Sequence, residues 1–448
     1  MRSAARLALA VAVATAASRA DAFPAFARKY GMSCSACHVA WPIFNQVGQN
    51  FRDNGYQFGL GKDDPITLTP GYIPIALRTT PAYTYTRTTN QFSQQGPTTI
   101  QQGGVPLPPG VDILTGGVIA KDLSFLLVVS GFGPDGGASV ESGWVRFDNL
   151  AGSGWLNVKI GKFELDEPAS AHRGVSLLYG YAGYGAHPQG SRVAFDMGEN
   201  QVGVEIDGHD ARSYTRYSLS FTSVNGHEGL SGNAWSAPMV YGHVQQAFDL
   251  NNPVVPWIRV GALAGAGWVP TAFKQDADGN DIPGTGSDHK MFSRAGAEVS
   301  WFFGYPSTPA FFTVAYIYGN DSGGLIPVDP GGGTIDPYTG AELGGQANSF
   351  NSGFVEVDWV PWSEPRYDAT PWLFFGRYDT VKFKKGTGDT TGGTIGVRKY
   401  LALGPRAAAA IHLEAHYDKV KGVGASADPT VVKDVETTSV LAGVDFDF

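Results

Sequence analysis

The chain is predicted to be mostly β: a transmembrane antiparallel barrel of about sixteen strands behind a small α-helical N-terminal segment. Three observations predict this. Glycine is abundant (60 residues) and aromatics reach 12%, while charged residues are only 16%, against about a quarter in soluble domains. From Gly71 onward, segments of about ten residues alternate apolar with polar or small and end in turn residues. The links between those segments alternate short and long.

The elements follow in order. Arg2 and Arg6 precede the apolar run Leu7 to Ala17, and Ala20-Asp21-Ala22 is a small-x-small cleavage site. Residues 1–22 therefore read as a signal peptide, with the mature chain starting near Phe23. The apolar run is too short to span a bilayer. The formal charge is −9; removing Arg2, Arg6, Arg19 and Asp21 leaves 29 basic against 40 acidic residues, or −11. That argues against nucleic acid and mildly favours cationic ligands.

Residues 23–60 hold both cysteines, in Cys34-Ser35-Ala36-Cys37-His38. C-x-x-C-H is the attachment site of a c-type haem. Two thiols join the porphyrin vinyl groups, and His38 is the proximal iron ligand. One covalent haem c is the expected cofactor, and no cysteine is left for a disulfide framework. Pro42 is expected in the first turn of a helix whose apolar face is Ile43, Val47 and Phe51, ending near Asn54-Gly55. Phe26, Tyr30 and Trp41 are candidates to wall the porphyrin. So short a segment lacks a self-sufficient core. Haem and barrel are expected to support it, with the segment as a plug in the lumen. Residues 61–71 read as a linker.

Residues 72–448 form the barrel. Strands are expected near 72–88, 111–121, 123–133, 139–149, 155–165, 192–209, 213–224, 239–250, 255–269, 290–303, 308–319, 349–361, 370–383, 391–403, 407–420 and 436–448. Even-to-odd links such as Lys121-Asp122 are short. Odd-to-even links such as 89–110, 166–191, 225–238, 270–289 and 320–348 are long and rich in Gly, Pro and Asp. Outer-membrane barrels have short periplasmic turns and long external loops, and an even strand count puts both termini in the periplasm. In the closing strand Val440, Ala442, Val444, Phe446 and Phe448 share one face, with Asp445 and Asp447 on the other.

Lipid-facing positions must be apolar, so charges within strands mark the lumen. Arg146 with Asp148, Glu356 with Asp358, Arg377 with Asp379, and Arg216 and Arg259 are such positions. Ile411, Leu413, Ala415 and Tyr417 face out; His412, Glu414, His416 and Asp418 face in. Same-face side chains lie roughly 6.6 Å apart along a strand. The inward group is thus a wet polar wall or, with help from other strands, a transient Fe(II) station. The sixth haem ligand is open. Candidates are His412, His416, Met197 and His172, with His187 and His243 behind them. Met32 stands too near Cys34 to be expected on the far porphyrin face. In the loop 166–191, Leu177-Leu178-Tyr179, Tyr181 and Tyr184 are apolar enough for a constriction folded into the lumen, or for a rim packed on its neighbours.

The run Ala27-Arg28-Lys29-Tyr30-Gly31-Met32-Ser33-Cys34-Ser35-Ala36-Cys37-His38 directly after a signal, ahead of a barrel ending in Phe448, resembles the fused monohaem cytochrome–porins of the outer membrane of iron-oxidising bacteria. The resemblance covers essentially the whole mature chain. It implies that Cys34, Cys37 and His38 hold the haem and that the N-terminal segment plugs the pore. It also implies Fe(II) oxidase activity, with electrons carried inward from extracellular Fe(II) to a periplasmic carrier protein. The alternatives are a diffusion porin gated or plugged by the small cytochrome, a conduit for a donor other than iron, and a soluble periplasmic cytochrome with a large β domain.

Overall fold

The computed structural model describes residues 24–58, 63–68, 72–91, 98–106, 110–131, 136–224, 237–272, 287–304, 308–326, 343–361, 372–403, 408–424 and 433–447. The expected signal peptide, part of the 61–71 linker and Phe448 lie outside the described residues.

The N-terminal segment opens with α1 (Pro24–Tyr30), whose proline suits a first helical turn. A 3-10 turn over Cys34–Ala36 leads into two short antiparallel strands, β1 (His38–Ala40) and β2 (Ile43–Phe44). Then comes α2 (Gln46–Asp53), capped by Asn45, whose side chain accepts from the Gly48 amide at 3.0 Å. Pro42 thus lies in the β1–β2 link, outside the helix. Ile43 and Phe44 pair with β1, which leaves Asn45 as the cap. Val47 is accordingly 48% exposed, while Gly48, Gln49 and Phe51 are buried. A Cβ on Gly48 would stand 2.2 Å from the Cys37 carbonyl oxygen. Only glycine lets α2 lie this close on the Cys34–His38 turn. Phe26, Tyr30, Phe51, Tyr56 and Phe58 make a small aromatic core, with ring centroids 4.3 to 5.7 Å apart.

The wall begins with β3 (Ile75–Thr79), β4 (Ala82–Gln91), β5 (Thr98–Gly104), β6 (Asp112–Ala120), β7 (Leu123–Gly131), β8 (Ala138–Phe147) and β9 (Asn157–Phe163). It continues with β10 (Gln201–His209), β11 (Thr215–Ser223), β12 (Pro238–Asp249), β13 (Trp257–Ala272), β14 (Ser287–Phe303) and β15 (Ala310–Asp321). It ends with β16 (Asn348–Trp359), β17 (Trp372–Phe383), β18 (Thr390–Leu403), β19 (Ala408–Gly424) and β20 (Lys433–Asp447). These segments close into an antiparallel barrel. β3 and β4 lie end to end along β20, and β6 and β5 lie end to end along β3 and β4. Eighteen segments therefore make sixteen staves. The first break falls at Pro81 and the second follows β5 at Pro106, residues with no amide to donate to a ladder. β5 corrects the expectation of a loop over 89–110. Its Gln101-Gln102-Gly103-Gly104 shows no alternation, and its pairing comes from Thr84 to Thr88. Residues 192–200 are also loop, turned at Asp196, which accepts from the Gly198 amide at 2.8 Å.

The two faces of the wall are inverted relative to a soluble protein. Ile411 and Leu413 are 45% and 50% exposed, while His412 and Glu414 between and beside them are 0% and 4% exposed. Val440 and Val444 are exposed, and Asp445 and Asp447 are buried. An outward apolar skin over a polar interior is stable against lipid. Several inner charges are paired: Arg146 with Asp207 at 2.6 Å, Arg294 with Asp321 at 2.8 Å, Arg377 with Asp379 at 2.7 Å.

Two pieces of chain fill the lumen. The N-terminal segment sits at the barrel end that carries the short links. Gln46 donates to the Arg212 carbonyl in the β10–β11 link, Tyr400 donates to the Trp41 carbonyl, and Arg146 donates to the Asp53 carbonyl at 2.7 Å. The second piece is the loop over residues 164–200. It leaves β9, crosses the bore and docks on the opposite wall. Glu414 accepts from the Leu177 and Leu178 amides at 2.9 and 3.3 Å, and Arg377 donates to the Tyr179 and Gly180 carbonyls at 2.8 and 2.7 Å. Tyr181 donates to Glu356, and the Tyr179 ring stacks on His416 at 3.8 Å. Of the two expectations for this loop, the structure takes the constriction.

Candidate functional site

A cavity of about 570 Å³ lies where the N-terminal segment meets the infolded loop, within the usual range of cofactor pockets. The segment contributes Cys34, Cys37, His38, Phe44 and Gly48; the loop contributes Glu164, Asp166, His172, Arg173 and Leu177; the wall contributes Trp144, Arg146 and Arg398 among others. Cys34 and Cys37 form no disulfide and are held one turn apart by the Cys37 amide, which donates to the Cys34 carbonyl at 3.0 Å.

His38 Nδ1 is 3.2 Å from the Pro42 carbonyl oxygen. A carbonyl only accepts, so Nδ1 carries the proton and Nε2 keeps its lone pair. Burial pushes the imidazole pKa down to about 4, so the ring is neutral near pH 7. Its ring stacks on Phe44 at 4.8 Å. A backbone acceptor on Nδ1 is the usual means of orienting a metal-bound imidazole. Two cysteines not joined in a disulfide, an oriented imidazole and a cavity of this size fit a covalently attached haem c. Arg52 also lines the cavity and makes no ion pair among the described residues. Burial, then neighbouring Arg173, pushes its pKa down. Such a guanidinium suits the carboxylates a haem carries.

The histidines and methionines sort by place. His412 lies between Arg398, which donates to Nδ1 at 3.0 Å, and Glu414, 3.1 Å from Nε2. His416 is held by Thr394 and Asp418. His243 sits between Asp166 and Glu298, and His187 meets Arg294. Met197 is in the buried apolar cluster around the infolded loop. None of these five lines the cavity. The loop covers the His412–Asp418 wall, which explains the difference for His412 and His416. The loop docks on this wall through Glu414 and His416. His172 does line the cavity, as do Met32 and His209, a residue that sequence reasoning missed. His209 ends a strand as a single polar residue, which gives no local signal.

No protein-family profile matches the chain, and no curated relative matches it. Among solved structures, the anion-selective porin of Comamonas acidovorans matches with a TM-score of 0.50 at 11% identity, covering 84% of this chain and 98% of that one. OmpF of Salmonella typhi, in complex with daunomycin, matches with a TM-score of 0.47 at 11% identity, over 84% and 97% of the two chains. OprB of Pseudomonas putida gives 0.43 at 10%, over 83% and 94%. The first likeness bears on the fold alone; the other two are too distant to carry argument. The chain has a porin-like fold, a closed barrel of sixteen staves, with the C-x-x-C-H turn carried into its bore.

Proposed function

We propose that this barrel is an outer-membrane electron-transfer protein with one haem c held inside the lumen by Cys34, Cys37 and His38. The observation that carries the reading is the placement of the C-x-x-C-H turn on the wall of the lumen cavity, with His38 Nε2 unprotonated. Each thiol would add across one vinyl group, forming a C–S bond with the thiol hydrogen passing to the neighbouring carbon. A haem held by Cys34, Cys37 and His38 would supply a one-electron couple between an external donor and an acceptor protein on the periplasmic side. With extracellular Fe(II) as donor, each electron leaves one Fe(III) product outside. Iron as donor rests on the family resemblance. The protein's own part is positional. The N-terminal segment orients the proximal imidazole, the infolded loop and aromatic core limit water, and Arg52 offers charge to carboxylates. The segment's place at the short-link end supports termini on the periplasmic side.

The porin likeness and the infolded loop favour a second reading, a diffusion channel narrowed by the loop and the N-terminal segment. Planar-bilayer conductance and Fe(II) mixing separate the two. The electron-transfer reading expects a haem spectrum that Fe(II) reduces, with low conductance. A colourless protein with a freely conducting pore establishes the channel instead.

A further inference from the structure

We infer that His172, on the infolded loop, is the second axial ligand to the iron, so that the site is a bis-imidazole haem assembled from two distant parts of the chain. This rests on the haem reading above. Three observations join His172 to His38. Ala40 and Val175 share one buried apolar cluster, with Trp41 packed against it. The Arg398 guanidinium lies 5.4 Å from the Trp41 ring centroid and donates to the Val175 carbonyl at 2.8 Å. Trp41 and Val175 each follow their histidine by three residues. Arg173, next to His172, is also close enough to His38 to act on its charge.

The chemistry of His172 suits the role. Its Nδ1 faces Glu141 at 3.2 Å, and its Nε2 has no hydrogen-bond partner. A carboxylate on one ring nitrogen fixes the tautomer and makes the other a better ligand. Glu141 is itself held by Ser130, with Arg78 3.9 Å away. His209 also has a free Nε2, with Nδ1 2.8 Å from the Asp210 carbonyl. Its ring lies near Asp53, at the end of α2. Met32 belongs to the same short segment as His38. The consequence is mechanical: ligation ties the loop to the N-terminal segment through the iron, and the constriction and the redox centre become one unit.

The test uses the full chain with its haem attached, purified in detergent. Covalent haem is first scored by in-gel haem staining. Electron paramagnetic resonance of the oxidised wild type should give the low-spin pattern of two imidazoles. His172→Ala should keep its covalent haem but become high-spin and bind carbon monoxide when reduced. His172→Met should return to low spin with a thioether signature and a higher potential. Glu141→Gln should weaken the bond by about tenfold, read as easier displacement by cyanide. His209→Ala should leave the spectrum unchanged. A high-spin or His–Met wild type, or a His172→Ala protein that stays low-spin with two nitrogen ligands, overturns the inference while leaving the haem reading intact. A wild type without covalent haem overturns the haem reading itself, and this one with it.

Discussion

The barrel wall and the contents of its bore obey different rules. Along β19 alternate side chains face outward, and the alternation of Ile411, Leu413 and Tyr417 with His412, Glu414 and His416 is the one a lipid-facing wall demands. In the bore nothing enforces a period. The N-terminal segment and the loop over 164–200 hold their places by specific partners: Arg377 on two carbonyls, Glu414 on two amides, Gly48 on the Cys37 carbonyl. The wall therefore tolerates any apolar residue outside, whereas the bore is sensitive to single atoms.

The sharpest way to break that contrast is the double variant Cys34→Ala/Cys37→Ala. It should abolish covalent haem while the barrel keeps its heat-modifiable migration on a gel. Loss of the folded barrel in the same variant would mean that wall and contents fold as one. Arg377→Ala comes next. It leaves Asp379 buried without its cation and frees the Tyr179 and Gly180 carbonyls, so about 3–5 kcal/mol of stability should go, read by denaturant unfolding in detergent. A loss below about 1 kcal/mol, as for an exposed pair, would show that the pair is solvated. Gly48→Ala should cost about 1–3 kcal/mol by overpacking, confined to the N-terminal segment. Haem incorporation should fall with barrel unfolding unchanged; equal haem yield would mean that α2 shifts freely.

The smallest effect is on acidification. Burial raises the Glu164 pKa, but Arg173 and then Arg52 outweigh it and hold the carboxyl below its ordinary range. A folded-state pKa that is depressed gives stability above the ordinary value, lost as pH falls towards the folded one. Ser170 donates to Glu164, and the Arg173 amide donates to Ser170 at 2.9 Å. Hydrogen exchange at residues 170–173, corrected for its intrinsic rate, should therefore quicken as pH drops through the ordinary carboxylate range. Unchanged protection there would remove Glu164 from the account of loop docking.

Legibility in the sequence follows the same division. The sixteen staves lie where alternation and turn residues put them, apart from residues 192–200, which are loop, and the extra segment β5, whose glutamines and glycines carry no pattern. The inward parity of Arg146, Glu356, Arg377 and His412 was readable for the same reason. What stayed hidden was which inward residues face open space. His412 and His416 point into the bore, yet the loop lies over them, and nothing within β19 encodes that cover. Met197, in an alternating run with Val193 and Phe195, looks like a strand residue but belongs to the loop's own apolar cluster. Such contacts depend on a chain crossing the barrel, which no local period reports.

Intact-mass measurement of the mature chain, expressed with a c-type maturation system and purified from outer membranes, tests the central claim most directly. The account predicts the mass of the chain plus one covalently bound haem, lost on Cys34→Ala/Cys37→Ala. The bare polypeptide mass from cells that mature other c-type cytochromes would contradict it.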